Sequence, residues 1–259
     1  VGAAKGARVM LAESYFGNVV DWLSESSHWR GTDGVPHRLV EHLEISAVSL
    51  VIALLVAIPL GLVLGHFRRG SFAAINVANL GRAIPAISIL LLAVTVWGIS
   101  DPPRWLRQIG VVSIPAFIAL VAIAIPPVLT NTYIGVAGID DNVRDAARGM
   151  GMGNGQMLRK VELPLATPLI MAGIRTSAVA VIATATLLAY VGGGGLGRFI
   201  IDGAAISFSD PRIFVGALFV AVLSIAVEGI LAFVQRFIVP APLQRHTDAA
   251  PDARVRVAA

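Results

Sequence analysis

Five stretches of the chain are apolar for long enough to cross a lipid bilayer, with polar segments between them. A spanning helix needs ~20 mostly apolar residues, because each residue rises ~1.5 Å and the hydrocarbon layer is ~30 Å thick. Ile45 to Gly65 carries no charge, and Ala83 to Ser100 lies uncharged between Arg82 and Asp101. Ile109 to Ile139 is uncharged and longer than one span needs. Thr176 to Gly197 is uncharged, with its span starting near Pro168 and enclosing Arg175, and Ile213 to Gln235 holds one charge, Glu228. The pattern predicts five transmembrane helices over about 44–66, 78–100, 112–135, 168–191 and 213–236, with room for a sixth short helix in the second or third block. The alternative is a soluble bundle of buried helices, but those are usually shorter and rarely come five to a chain. The fold class is therefore all-α integral membrane.

The two ends differ from the middle. Within 1–43, Leu11, Tyr15, Phe16, Val19 and Leu23 recur at helical spacing, with Glu13, Asp21 and Glu25 between them. That spacing predicts a short amphipathic helix lying on the membrane surface. The segment lacks the continuous apolar core of a signal peptide. Val1 as first residue fits a start codon other than AUG or a shortened chain. Residues 238–259 mix Pro, Ala, Arg and Asp and read as a flexible tail.

Composition agrees with the spans. Of 259 residues, 56% are hydrophobic and 14% charged, and the mean hydropathy is +0.78. A soluble domain carries about a quarter charged residues, so this chain lacks the shell a soluble enzyme needs. The absence of Cys excludes disulfides and thiolate metal sites. The basic residues are scattered between apolar blocks, which argues for membrane orientation rather than nucleic acid.

Lys and Arg in short connections mark the cytoplasmic side. The segments after the first, third and fifth spans carry eleven basic residues, among them Arg68, Arg69, Arg82, Arg144, Arg148, Arg159, Lys160 and Arg236. The second and fourth connections carry four: Arg104, Arg107, Arg198 and Arg212. The expected topology is amino terminus outside and carboxyl terminus in the cytoplasm.

The longest polar connection, 138–168, has the most specific pattern. Asp140 or Asp141 caps a helix start by accepting bonds from free amides of the first turn. Ala146 and Ala147 favour helix, and Gly149, Gly151, Gly153 and Gly155 end it and force a turn. A second short helix from about Gln156 is expected to end before Pro164. Asp145-Ala146-Ala147, three residues, Gly151, nine residues, then Val161-Glu162-Leu163-Pro164 resembles the pattern of permease subunits of binding-protein-dependent ABC importers. Asp stands for the family's Glu, and Val for its Ile.

The resemblance implies a methionine-permease-like core in which this loop is a cytoplasmic coupling helix seated in a cleft of an ATPase subunit. Asp145 and Arg148 are then polar contacts, Ala146, Ala147 and Gly151 permit close approach and the turn, and Leu163 and Pro164 close the pattern. ATP is bound and hydrolysed by the partner, so this subunit is non-catalytic and carries no cofactor or metal of its own. The implied partners are ATP-binding subunits, an extracytoplasmic substrate-binding protein and a second permease chain, either a copy or a paralogue. The implied location is the bacterial cytoplasmic membrane.

Further segments are similar to the osmoprotectant branch, which imports glycine betaine, choline, carnitine or proline betaine. They are Leu163 to Ser177, Ala83-Ile84-Pro85-Ala86, Asn131 to Gly135 and the run Gly192 to Gly197. The resemblance covers about residues 40–237. Methionine permeases share the coupling pattern and the glycine run, so a permease for methionine or another small solute stays open. A proton-coupled carrier working alone is the reading from another class. The glycine run is no phosphate loop, because Arg198-Phe199 stand where Lys and Ser or Thr are required; a turn or close helix approach is its expected role.

Polar residues within spans face protein or a water path, because lipid penalises them. Pro126, Pro127, Asn131 and Tyr133 in the third span, and Thr186 and Tyr190 in the fourth, are candidate path-lining residues. Glu228 has Arg175 or Arg82 as candidate ion-pair partners, with a proton or substrate site as the alternative. Arg175 is itself expected to snorkel or to bond the coupling loop. A quaternary ammonium favours an aromatic cage, but aromatics make up only 7% of the chain and no cage can be assembled from it.

Overall fold

The computed structural model describes residues 15–68, 84–98 and 101–239, and within them the regular structure is helical. Helix α1 covers 15–24, α2 Val35–His66, α3 Ala86–Trp97, α4 Arg104–Gln108 and α5 Ile114–Ala137. They are followed by α6 Asp141–Gly149, α7 Asn154–Met157, α8 Leu163–Ala185, α9 Gly197–Ile206 and α10 Pro211–Ile238. Among the described residues, four continuous stretches are long and apolar enough to span a membrane: Val35–His66, Ile114–Ala137, Asn154–Val191 and Pro211–Ile238. The expected second span is represented by α3, an apolar helix of 12 residues. Its expected first residues, 78–83, and its last two lie outside the described residues, as do Arg69, Arg82, Leu11, Glu13 and the tail from 240.

Two expected boundaries move. The limit at 43/44 falls inside α2, whose 32 residues measure ~48 Å, well beyond the ~30 Å that lipid needs. Polarity does not end the helix there because Glu41 and His42 are buried in protein. The helix expected to stop before Pro164 also continues: α7 passes through a π-helical turn, Leu158–Glu162, directly into α8. Proline has no N–H to give to the ladder. The turn just before it widens to an i→i+5 bond, from the Leu163 N–H to the Leu158 carbonyl, so the helix absorbs Pro164 instead of breaking.

The chain divides into two compact units. Among the described residues, the first comprises those within 15–49, 85–121 and 180–225. Its core joins Val35, Leu196 and Phe199, with Trp22, Leu39, Phe219, Val220 and Leu223 packed on them. The amphipathic helix α1 is present, but its apolar side packs on protein rather than lying on lipid alone. Val19 is buried, Phe16 meets Phe214 edge-on at 5.6 Å, and Trp22 meets Phe199 at 5.7 Å.

The same unit shows why the glycine run is glycine. The Gly194 N–H donates to the Gly110 carbonyl (2.9 Å), and the Gly195 N–H donates to Glu41 Oε2 (3.0 Å). A β-carbon on Gly197 would stand 2.2 Å from the Thr186 carbonyl oxygen. The run is a close-packed backbone crossing, as expected.

Among the described residues, the second unit comprises 50–68, Ile84, 122–179 and 226–239. Gly61 and Gly65, four residues apart on one face of α2, let Thr132 and Val136 of α5 approach; β-carbons there would lie 2.6 and 2.7 Å from those side chains. Small residues drive such association in lipid, where no hydrophobic effect separates the helices from the solvent. Ala57, Val128 and Leu129 form one cluster, and Val136, Ala166 and Ile170 another.

Candidate functional site

The polar loop folds as its residues dictate. Asp140 caps α6 by accepting the Asn142 N–H at 2.8 Å, and Gly151 takes φ +78° in the turn after it. This nine-residue helix is two-faced. Asp145, Ala146 and Arg148 are exposed, with Arg148 donating to Asp145 at 3.0 Å, and Gly151 is exposed beyond them. Ala147 and Arg144 face inward and are buried. Of the seven residues expected to meet an ATPase, Asp145, Ala146, Arg148 and Gly151 are thus presented on the surface, and Ala147 belongs to the seat beneath them. Leu163 and Pro164 are half-buried in the first turn of α8.

Beneath α6 lies a charged cluster that the sequence pattern does not single out. Arg144 Nη2 donates to the Val136 carbonyl (2.8 Å) and Nη1 to the His66 carbonyl (3.2 Å). Glu162, in the π turn, is fully buried, and its Oε2 lies 2.6 Å from His66 Nδ1. Its Oε1 sits 3.1 Å from Arg144 Nη2, an ion pair off the line of a hydrogen bond. Among the described residues, Oε1 and Arg144 Nε find no hydrogen-bond partner. An unmade buried hydrogen bond costs about 1–3 kcal/mol per group. In the sequence, Arg144 counts only as a topological charge, and Glu162 as the free position before Leu163-Pro164. The one signal for the cluster is an acid set among apolar residues at the mouth of a span.

A second ion pair flanks the cluster. Arg68 follows α2 with φ 49°, donates to the Ile139 carbonyl (2.9 Å) and pairs with Asp141 at 2.6 Å. The hydrogen bond from Arg68 holds the Asp141 carboxyl below its usual range.

The candidate path residues fall in both units. In the second, Pro126, Pro127 and Tyr133 are buried, and Asn131 Nδ2 donates to the Pro127 carbonyl at 2.7 Å. Glu228 of α10 accepts from Arg175 of α8, which also donates to Gln235 at 2.8 Å. Arg175 therefore reaches the last helix rather than the coupling loop. An open cavity of about 450 Å³ lies beside this pair, lined also by Ala172, Thr176 and Val179. In the first unit, Thr186 and Tyr190 stand in the 3-10 turn Thr186–Val191, where Thr186 Oγ1 donates to the Ala183 carbonyl (2.7 Å) and Tyr190 is exposed.

Long apolar helices with a capped polar helix set between two of them are the layout of a multi-pass membrane protein. Residues 57–240 match the family described as binding-protein-dependent transport system inner membrane component, and the chain belongs to that family. It is therefore an inner-membrane protein of the importer type. It is 36% identical over 209 residues to a choline transport system permease protein of Bacillus subtilis, covering 81% of this chain and 90% of that one. It is 37% identical over 204 residues to a glycine betaine/carnitine/choline transport system permease protein of the same organism, covering 79% and 88%. Among solved structures, the methionine ABC transporter in an inward-facing conformation matches with a TM-score of 0.67 at 20% identity, covering 80% of this chain and 96% of that one. That likeness shows the fold.

Proposed function

We propose that this chain is the membrane-spanning subunit of an ATP-driven importer for osmoprotectants of the glycine betaine, choline and carnitine type. The observation that carries the coupling half of this reading is α6, which presents Asp145, Ala146 and Arg148 on one side and is seated by Arg144 and Ala147 on the other. A short capped helix of that shape suits a groove on an ATPase subunit. The relatives support the substrate class, because two of them carry out choline, betaine or carnitine transport by name. The methionine reading has only a fold-level likeness behind it.

In this reading α6 and the basic connections lie in the cytoplasm, and the amino terminus lies outside. A second permease chain, two ATPase subunits and a binding protein complete the importer. Closure of the ATPase pair draws two coupling helices together, and the spanning helices switch between outward-facing and inward-facing packings as rigid bodies. The chain supplies no catalysis; hydrolysis belongs to the ATPase.

Reconstitution of the chain with its ATPase and binding protein in proteoliposomes tests this. Betaine or choline uptake that requires ATP is expected. Uptake driven by a proton gradient without the ATPase would overturn the reading. Asp145→Lys places a cation on the presented face and is expected to reduce co-purification of the ATPase at least several-fold.

A further inference from the structure

The buried cluster under the coupling helix has a geometry that a purely structural ion pair lacks. Arg144 is on α6, His66 ends α2, Val136 is near the end of α5, and Glu162 lies in the π turn leading into α8. One guanidinium therefore ties α6 to three other segments, through two carbonyls and one carboxylate. All three side chains are buried: Arg144 is 3% exposed, Glu162 0% and His66 7%. Apart from Ala147 and this guanidinium, α6 buries no residue of its own. Arg144 is therefore the buried side-chain link between α6 and the helices around it, beside the more exposed Arg68–Asp141 pair.

The cluster is also incomplete. Among the described residues, Arg144 Nε keeps an unused N–H and Glu162 Oε1 an unused acceptor, although the two side chains are already in ion-pair contact. An arginine and a carboxylate favour a bidentate pair, with two parallel N–H···O bonds. Here the pair is skewed out of that arrangement. A small rotation of α6 would bring the unused donor and acceptor into register. Glu162 sits in the π turn that links α7 to α8, a kind of bulge frequent at functional sites.

We propose that Arg144, Glu162 and His66 are positioning residues that carry displacement of the coupling helix into the spanning helices, and that the Arg144–Glu162 pair closes to a bidentate form in the other state of the transport cycle. The inference rests on the coupling role proposed for α6. A cluster that joins four segments rigidly yet leaves one bond unmade has two arrangements to switch between. Both sides of the switch are then biased by the same guanidinium, the physical requirement for coupling distant elements.

The test uses the full importer in proteoliposomes, with glycine betaine as substrate, reading ATPase co-purification, ATP hydrolysis and uptake per ATP. Glu162→Gln keeps the shape and one acceptor but removes the charge that a bidentate pair needs. The expected result is normal co-purification, hydrolysis within about twofold of the parent, and uptake per ATP reduced about tenfold or more. Arg144→Met combined with Glu162→Met replaces the pair by apolar side chains, which buried ion pairs commonly tolerate in stability. It is expected to assemble and to remain uncoupled, while Glu162→Asp restores part of the uptake. Parent-like uptake per ATP in either assembled variant would overturn the proposal. Failure of both variants to fold would overturn it too, making the cluster a determinant of folding rather than of transmission. The coupling role of α6 is tested separately by Asp145→Lys, which leaves the cluster intact.

Discussion

Among the described residues two glutamates are buried, and they are held in opposite ways. Glu41, in the first unit, accepts the Gly195 N–H at 3.0 Å and Arg38 Nη1 at 2.8 Å, with His37 at 3.5 Å. Its side-chain partners are one turn away on the same helix, and its distant partner is backbone. Glu162, in the second unit, is held by the side chains of Arg144 and His66, 18 and 96 residues away, and one of its oxygens finds no hydrogen bond among the described residues. The first carboxylate is held by side chains of its own helix and by one distant backbone N–H, so it fixes a backbone crossing. The second is gripped by side chains from other segments, so it can change grip. Burial alone does not separate the two acids; the place of their partners in the chain does.

The largest effect that sharpens this contrast is expected at Gly197, where a side chain meets backbone. Gly197→Val should cost about 3 kcal/mol or more by overpacking, seen as loss of the monodisperse peak in size-exclusion chromatography of the detergent-solubilised chain. Next, Glu41→Ala strands the Gly195 N–H and one Arg38 donor and should cost about 2–3 kcal/mol. Its melting temperature should fall clearly, while uptake per ATP of the surviving importer stays near the parent's. A coupling defect at Glu41 resembling that expected of Glu162→Gln would break the contrast.

Smaller is Gly151→Ala. The left-handed backbone there costs an L-residue about 1–2 kcal/mol, so ATPase co-purification should weaken without affecting the fold of the spans, as read by circular dichroism. The smallest concerns pH. Two hydrogen bonds from Arg212, each 3.0 Å, hold the Asp210 carboxyl below the usual carboxylate range. Its contribution is complete above the ordinary value of about 3.9 and disappears as pH falls through the lowered one. The melting temperatures of the parent and Asp210→Asn should therefore differ slightly at neutral pH, by an effect under about 1 kcal/mol, and converge on acidification. Curves that stay parallel would show that this pair contributes nothing to stability.

Legibility in the sequence depends on the range of each signal. Spans are legible because length and apolarity are properties of a segment, and α2, α5, α8 and α10 stand where runs of apolar residues put them. The loop at Asp140 to Gly151 is legible because a cap, a helix and a turn are local. Glu162 and Glu41 are not, because their partners lie far away in sequence; an acid next to Leu163-Pro164 looks like any loop acid until Arg144 and His66 close over it. The packing of α1 is hidden for the same reason, since Phe199 and Phe214 lie almost two hundred residues on. The route through Pro164 escapes because proline's local rule predicts a stop, and the π turn that evades the rule leaves no residue signature of its own.

That π turn bears on the spacing of the pattern itself. A π turn holds one residue more than an α-helix would use for the same advance. The turn Leu158–Glu162, which overlaps the last three of the nine residues between Gly151 and Val161, therefore carries one supernumerary residue. Removing one residue of this turn would let it close to ordinary helix with the segments on either side near their present phase, whereas the same removal from a helix without a bulge would turn everything before it by ~100° about the axis. The π turn is thus an angular setting: it absorbs a residue that would otherwise rotate what precedes it, and so keeps the exposed face of α6 in its direction when the spanning helix behind it is fixed.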